Sequence, residues 1–430
     1  MTIDTTDPTG TTGTLTTRLA CEALDAADPL AAFRDRFELP EGVIYLDGNS
    51  LGALPKATAE RVHDVVTREW GVGLIRSWND AGWFDKPRTL GERIAPLIGA
   101  GQGEVVIGDS TSASLFQVAI AAARLRPGRR VIVSERDNFP TDLYMLESVQ
   151  ELLGDANGAL ERRLIHADGP SLEDVLDQDV AVVVLTHVNY RTGRMYDMAE
   201  VTRRVHEAGA LMVWDLCHSV GAVPIDLNGA HADFAIGCTY KYLNGGPGSP
   251  SFIWVAERHQ AAAHPPLSGW HGHARPFDFG VDYAPATGIT RFRVGTPQLL
   301  SMAGLEASLE LWDEVDMAQV RAKSLQLTDL FISLVDSRLA PWGVEVVTPR
   351  EHAVRGSQVA LRVDDGYPVM QALIERGVIG DFRAPDLMRF GFTPLYVSHA
   401  DVWDAVAILE DILVSESWRA ERFSRRGAVT

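Results

Sequence analysis

Residues 180–215 read VAVVVLTHVNYRTGRMYDMAEVTRRVHEAGALMVWD. The run Val180 to Leu185 is apolar throughout and mostly valine, Met198 to Ala208 has helical spacing, and Leu211-Met-Val-Trp214 is a second apolar run. A strand that is apolar at every position has to be covered on both faces, as in parallel sheets whose crossovers are helices. This stretch therefore predicts a strand–helix–strand unit with parallel strands. The alternation extends both ways. Val105 to Gly108 leads into a helix from about Ser112 to Arg124, and Val131 to Val133 into one from about Thr141 to Leu153. Phe234 to Cys238 and Phe252 to Val255 are the next strands. Upstream, Leu15 to Phe37 has helical spacing, Val43 to Leu46 is a short strand, and Pro55 opens a helix running to about Trp70. Beyond residue 300 the pattern changes to a long helical stretch over 298–336, broken near 313–316, then strands at 344–347 and 359–363. A helix near 368–376, a strand near 387–390 and a closing helix at 402–415 complete the chain. The expected fold class is α/β: a large domain (46–310) on a mixed, mostly parallel sheet, a smaller α+β domain (311–430), and an N-terminal arm (1–45) packing with it.

Composition narrows the function classes. The 430 residues carry 39 basic and 58 acidic side chains, a formal charge of −19 that repels phosphate backbones, and no local basic patch offsets it. The Arg-rich tail (Arg419, Arg422, Arg425, Arg426) reads as a solvated end, so no nucleic-acid partner is expected. With 46% hydrophobic residues the chain can bury a large core, yet no apolar run approaches the ~20 residues that span a bilayer. The Thr-rich start, Met1 to Thr17, lacks the basic and apolar regions of a signal peptide, and the three cysteines (Cys21, Cys217, Cys238) are too few for a disulfide framework. A cytoplasmic location with no membrane partner is the expectation.

Only four residues are lysine (Lys56, Lys86, Lys241, Lys323), so 35 of the 39 basic side chains are arginine. A chain that takes its surface charge from arginine keeps lysine where a guanidinium cannot serve, and primary-amine chemistry is one such place. Lys241 follows a buried-looking strand, sits between two tyrosines, and precedes Asn244-Gly-Gly-Pro-Gly-Ser249, a loop whose backbone can approach a ligand closely. The alternative is a lysine whose stem merely covers apolar surface. Lys56, Lys86 and Lys323 have ordinary contexts, the last on a charged helix face. Asp215 closes the strand Leu211–Asp215, with His218 three residues on, and an acid there is where open α/β sheets place ligand contacts. It could equally cap a helix, but Lys241 lies at the end of the next strand.

Gly108-Asp-Ser-Thr-Ser-Ala-Ser114 puts hydroxyls and N–H groups at a helix start, an anion site or a plain cap. No Walker-type or well-placed GxGxxG loop supports a nucleotide. Phe139-Pro-Thr-Asp142 offers an aromatic face and a carboxylate. His271, His273 and the pair Cys217-His218 form no ligand motif, so no metal is expected.

An amine, a carboxylate, a phosphate-binding helix start and an aromatic face together suit pyridoxal 5′-phosphate (PLP), whose pyridine nitrogen needs an acid partner. The chain resembles the kynureninase family, within the fold-type I, class V aminotransferase-like enzymes. The resemblance runs from about Tyr45 to Leu413 and rests on Leu46-Asp-Gly-Asn-Ser-Leu-Gly52, Phe139-Pro-Thr-Asp142, Thr186-His-Val-Asn-Tyr-Arg-Thr-Gly193, Trp214-Asp-Leu-Cys-His-Ser219, Tyr240-Lys-Tyr-Leu-Asn244, Gly269-Trp-His-Gly-His273 and Arg389 ahead of Pro394-Leu-Tyr396. The Asp-x-x-His and Tyr-Lys-Tyr-Leu-Asn pair is fairly specific to this family, whereas a bare Asp and Lys would fit many class V enzymes.

The resemblance implies a fold-type I PLP-dependent transferase-like fold and hydrolytic Cβ–Cγ cleavage of L-kynurenine, or its 3-hydroxy derivative, to anthranilate (or 3-hydroxyanthranilate) and L-alanine. It implies a role in tryptophan breakdown or NAD supply, and a homodimer with shared sites. By the same resemblance Lys241 joins the cofactor and moves the substrate α-proton, Asp215 pairs with the ring nitrogen, and Phe139 stacks on the ring. Thr111, Ser112, Tyr240 and Trp270 hold the phosphate, with Thr296 of the second copy. Asp142, Thr186 and His218 contact ring substituents or orient groups that do. Arg389 clamps the substrate carboxylate, Ser50 lies near it, and Tyr240 is the acid for the β-carbon. Animal members carry asparagine where this chain has Thr296, and that branch prefers the 3-hydroxy substrate, so threonine implies a preference for L-kynurenine. The alternatives within the class are a cysteine desulfurase, which needs a reactive thiol on a mobile loop, and an aminotransferase; an idle PLP-binding regulator ranks below both.

Overall fold

The computed structural model describes residues 17–157 and 160–427; the lead Met1 to Thr16 of the expected arm lies outside the described residues. Its centre is a seven-stranded sheet of β1 (Val105–Ile107), β2 (Val131–Glu135), β3 (Glu161–Ile165), β4 (Val180–Thr186), β5 (Leu211–Asp215), β6 (Phe234–Gly237) and β7 (Phe252–Val255). The strands lie in the order β1-β7-β6-β5-β4-β2-β3. Only β7 runs against its neighbours; the pairings among β2 to β6 are parallel. Every residue of β4, β5, β6 and β7 is buried, as uninterrupted apolar strands require when helices cover both faces.

A four-stranded antiparallel sheet follows, built from β8 (Glu345–Val346), β9 (Gln358–Arg362), β10 (Asp381–Arg383) and β11 (Leu387–Gly391) in the order β8-β9-β11-β10. Helices Gly366–Glu375 and His399–Ser415 belong to this part. The long helical stretch is broken as expected, into Leu299–Trp312 and Met317–Arg338, with Asp316 capping the second helix at Ala318.

Several expectations need correction. The arm is not one helix but Arg18–Ala26 followed by a 3-10 turn at Ala31–Arg36. Asp28 interrupts it, because its carboxylate accepts the Leu30 N–H over 2.9 Å and meets the Lys323 ammonium at 2.6 Å. Lys323 is consequently buried, donating to the Pro394 carbonyl over 2.6 Å, and is not on a solvated face. The helix from Pro55 is α only over Lys56–Asp64 and widens into a π-helical segment, Val65–Gly73. Glu69 of that segment is buried and accepts from Trp83 Nε1 over 2.6 Å. β3, of sequence Glu-Arg-Arg-Leu-Ile, and β10 escaped the reading: both are edge strands without apolar alternation.

The segment after the arm threads between the two sheets. Ile44–Tyr45 pairs in parallel with Val378–Ile379, Gly391 N–H donates to the Leu46 carbonyl over 2.7 Å, and Gly52 N–H donates to the Tyr240 carbonyl over 2.8 Å.

Candidate active site

The carboxyl ends of β4, β5 and β6 share one edge of the sheet, the edge where open α/β sheets present ligand contacts. Thr186 and Asp215 face each other across the β4–β5 ladder, and Lys241 follows β6 by four residues. Asp215 is buried; its Oδ1 accepts the Cys217 N–H over 2.8 Å, and its Oδ2 lies 3.4 Å from the Thr186 hydroxyl. That hydroxyl also meets Asn138 Oδ1, so its single proton is contested.

Asp142, in the first turn of helix Pro140–Asn157, is buried beside Asp215. Burial and the Asp215 charge push its carboxyl well above the ordinary range, so it keeps its proton, and its Oδ2 has no protein partner. One buried acid held neutral beside a buried carboxylate is an arrangement that a cationic ring nitrogen with a polar substituent would complete.

Lys241 Nζ lies 2.9 Å from His218 Nε2 and 5.7 Å from the centre of the Tyr240 ring. Burial, with the Lys241 charge adding to it, pushes the His218 imidazole well below its ordinary value, so the ring is neutral. Burial pushes the Tyr240 phenol up, which keeps it protonated.

A cavity of 590 Å³ adjoins these groups, lined by Ser50, Thr111, Ser112, Tyr240, Gly248 and Gln298 among others. Ser110 caps helix Thr111–Arg124 by accepting the Ala113 N–H, which leaves the N–H groups of Thr111 and Ser112 without intrahelical partners at the cavity wall. Gly246 and Gly248 have φ of +90° and +76°, left-handed values that let this loop turn against the cavity. A helix start with free N–H groups and hydroxyls suits a phosphate.

Phe139 is part-exposed and meets the Tyr190 ring edge to face at 5.2 Å. Arg389, on β11, is 1% exposed. Its Nε donates to Asp381 Oδ1 over 2.9 Å, its Nη2 to Asp381 Oδ2 and to Ser50 Oγ at 2.7 Å, and its Nη1 to the Tyr190 carbonyl at 2.6 Å. The guanidinium thus arrives at the site already forked by an acid of its own sheet.

Trp270 and Thr296 do not line this cavity within the chain. Trp270 is part-exposed among Trp78, Phe84 and His271, and Thr296 lines a separate narrow cleft with Pro87 and Phe292. Sequence reasoning passed over Asp47, Asn49, Gln358 and Asp381. Asp47 and Asn49 stand in a motif quoted for other reasons; burial and the Asp381 charge push the Asp47 carboxyl up to about 7. Gln358 and Asp381 carry no local signal, as each is one polar residue at a strand start. Among the described residues no group of three His, Cys, Asp or Glu side chains could hold a metal ion.

Solved structures of the same fold include the cysteine desulfurase of Thermococcus onnurineus NA1, with a TM-score of 0.74 at 21% identity over 89% of this chain and 98% of that one. A C-DES variant described as holding glycine covalently linked to its PLP cofactor gives a TM-score of 0.75 at 17% identity, over 88% of this chain and 99% of that one. These likenesses give the chain the fold-type I architecture.

The kynureninase of Burkholderia pseudomallei is 57% identical over 418 residues, 96% of this chain and all of that protein. That of Pseudomonas fluorescens is 54% identical over 421 residues, again the whole of it and 97% of this chain. The kynureninase C-terminal domain model matches residues 320–409. The chain belongs to the kynureninase family.

Proposed function

We propose that this chain is a PLP-dependent hydrolase that cleaves the Cβ–Cγ bond of L-kynurenine, giving anthranilate and L-alanine. The observation that carries the reading is the meeting of Lys241, Asp215 and His218 at one sheet edge in a chain of this family. The donor set fits the cofactor. Asp142 Oδ2 is buried with no partner, the carboxyl of Asp215 is buried beside it, and the start of helix Thr111–Arg124 is open.

In this reading Thr111, Ser112 and Tyr240 hold the phosphate, Asp215 the ring nitrogen, Asp142 and Thr186 the ring substituents, and Phe139 covers one ring face. When bound, PLP supplies an electron sink for the charge left as the substrate loses its α-proton. Lys241 would hold the cofactor through its amine and, when that amine is free, would take up the proton of the substrate α-carbon. Arg389 holds the α-carboxylate, with the Ser50 hydroxyl beside it. Water adds to the γ-carbonyl, the Cβ–Cγ bond breaks, and the Tyr240 phenol, kept protonated by burial, gives the β-carbon its proton.

A desulfurase would use an accessible thiol, whereas Cys21, Cys217 and Cys238 are all buried. No described helix is long and apolar enough to cross a membrane. A homodimer is supported by apolar side chains left in solvent: Trp70, Leu74 and Ile75 of the widened helical segment and turn after it, and Phe277, Phe279 and Val281, the last fully exposed. A second copy covering them would bring its Thr296 to this cavity. The division at residue 310, the cytoplasmic location, the place in tryptophan breakdown or NAD supply, and the preference for L-kynurenine from Thr296 belong to the same proposal.

The test is incubation of purified protein and PLP with L-kynurenine, following anthranilate fluorescence and alanine release without a keto acid. Failure to form anthranilate would overturn the proposal, and a parallel assay with 3-hydroxykynurenine measures the preference.

A further inference from the structure

Gln358 opens β9 of the C-terminal sheet and is 1% exposed. Its amide is satisfied on both sides. Nε2 lies 3.1 Å from the Asn189 carbonyl oxygen and 2.9 Å from that of Tyr190, while Oε1 lies 3.1 Å from His218 Nδ1 and 3.4 Å from Asn49 Nδ2. Carbonyl oxygens only accept, so the amide can face only one way, with its NH2 toward residues 189 and 190 and its oxygen toward the imidazole. An oxygen acceptor at Nδ1 requires the ring proton to sit there. A neutral imidazole has one donor and one acceptor, so Nε2 then holds the lone pair. Lys241 Nζ, 2.9 Å from Nε2, meets it as a donor.

We propose that Gln358 is a positioning residue that fixes His218 as the Nδ1–H tautomer, so that Nε2 is the acceptor orienting the Lys241 amine. This rests on reading Lys241 as the reactive amine. The first step of the relay crosses between structural parts, from Gln358 of the C-terminal sheet to His218, and the second stays at the end of the large sheet, from His218 to Lys241. The opposite tautomer would set an N–H against the donors of the amine.

The surroundings keep the ring neutral. Burial is the main cause, and the charged groups acting on it are the cations Lys241 and, from the C-terminal sheet, Arg389 and Arg383, all opposing protonation. Only the contact with Gln358 acts the other way. A neutral acceptor can orient the amine without trapping it in an ion pair.

Long-range proton–nitrogen spectra of the 15N-histidine-labelled holoenzyme should show His218 protonated at Nδ1 and bare at Nε2. Gln358→Met should lose that pattern and lower kcat by about tenfold at every pH, the cost of one hydrogen bond, with PLP content unchanged. Gln358→Glu keeps an acceptor at Nδ1 but adds a charge that favours the imidazolium, so the acid limb of its kcat profile should move to higher pH, with activity regained above it. That split separates positioning from a merely structural role. A proton on Nε2 in the native enzyme, or native kcat and native tautomer in Gln358→Met, would overturn the inference. Should the methionine variant not fold, the native spectrum and the glutamate profile decide. Native enzyme with an Nδ1–H ring but no kynurenine turnover would overturn the proposed function and leave the tautomer assignment standing.

Discussion

Arg389 and Asp381 form a fork-on-fork ion pair with both side chains excluded from solvent. Asp381 occupies the Nε–Nη2 edge of the guanidinium, and the Ser50 hydroxyl, 2.7 Å from Nη2, stands toward the other. Nη1 donates to the Tyr190 carbonyl, so an incoming carboxylate competes with a hydroxyl and a backbone carbonyl and leaves the acid in place. Arg389→Lys cannot fork to both, and its KM for L-kynurenine should rise about tenfold to a hundredfold with a smaller change in kcat, corresponding to roughly 1.5–3 kcal/mol for a charge-assisted hydrogen bond. Steady-state kinetics check this; an unchanged KM would remove Arg389 from the carboxylate subsite.

Lys241 is the lysine at Asp215 and His218; Lys86 is paired to Glu306, Lys323 to Asp28, and Lys56 lines a separate cavity with Arg34 and Arg376. Borohydride treatment of the holoenzyme should leave the cofactor on the peptide carrying Lys241, as peptide mass spectrometry would read. Lys241→Arg should carry none and form no anthranilate, because a guanidinium does not enter that chemistry.

Asp233 supplies a pH test away from the site. Burial alone would raise its carboxyl, but hydrogen bonds from His206 Nε2 and His259 Nε2, each 2.7 Å, and from the Met212 N–H outweigh it and hold the group below the ordinary range. A folded-state value below the unfolded one adds stability that is full above about pH 4 and is lost as pH falls further. Asp233→Asn should cost roughly 2 kcal/mol at pH 7, less than a fully buried pair because Arg258 and His206 are part-exposed. In urea titrations the gap to the native protein should narrow as pH falls below about 4.

Phe279 and Val281 expose large apolar side chains to solvent in a single copy. Phe279→Glu combined with Val281→Glu should shift sedimentation from dimer to monomer while leaving the melting temperature of the monomer fold close to native. Activity should fall with dissociation, because the cavity would lose Thr296 of the second copy. A double variant that sediments as a fully active dimer would refute this interface.

The legible parts of the molecule are those where one physical demand repeats along the chain. β4 and β5 announce themselves because strands covered on both faces must be apolar at every position, and Lys241 because the sequence is nearly free of lysine. β3 and β10 sit at sheet edges, where only one flank pairs and no pattern is imposed. Asp381 and Gln358 matter through Arg389 and His218, partners assembled by the fold, and nothing in their neighbours marks them. Lys323 was misread because its burial depends on Asp28, contributed by a segment far away in sequence.

The strip Ile44 to Gly52 has a consequence for biosynthesis. Ser50 meets Arg389 across 339 residues of chain, and Leu46 is stitched to Ile379 and Gly391. A nascent polypeptide emerging from the ribosome therefore makes the strand Ile44–Tyr45 early and must hold it unpaired until translation is almost finished. Such distant closures slow folding, so the large sheet can mature during synthesis while catalytic competence waits for the final stretch to be released.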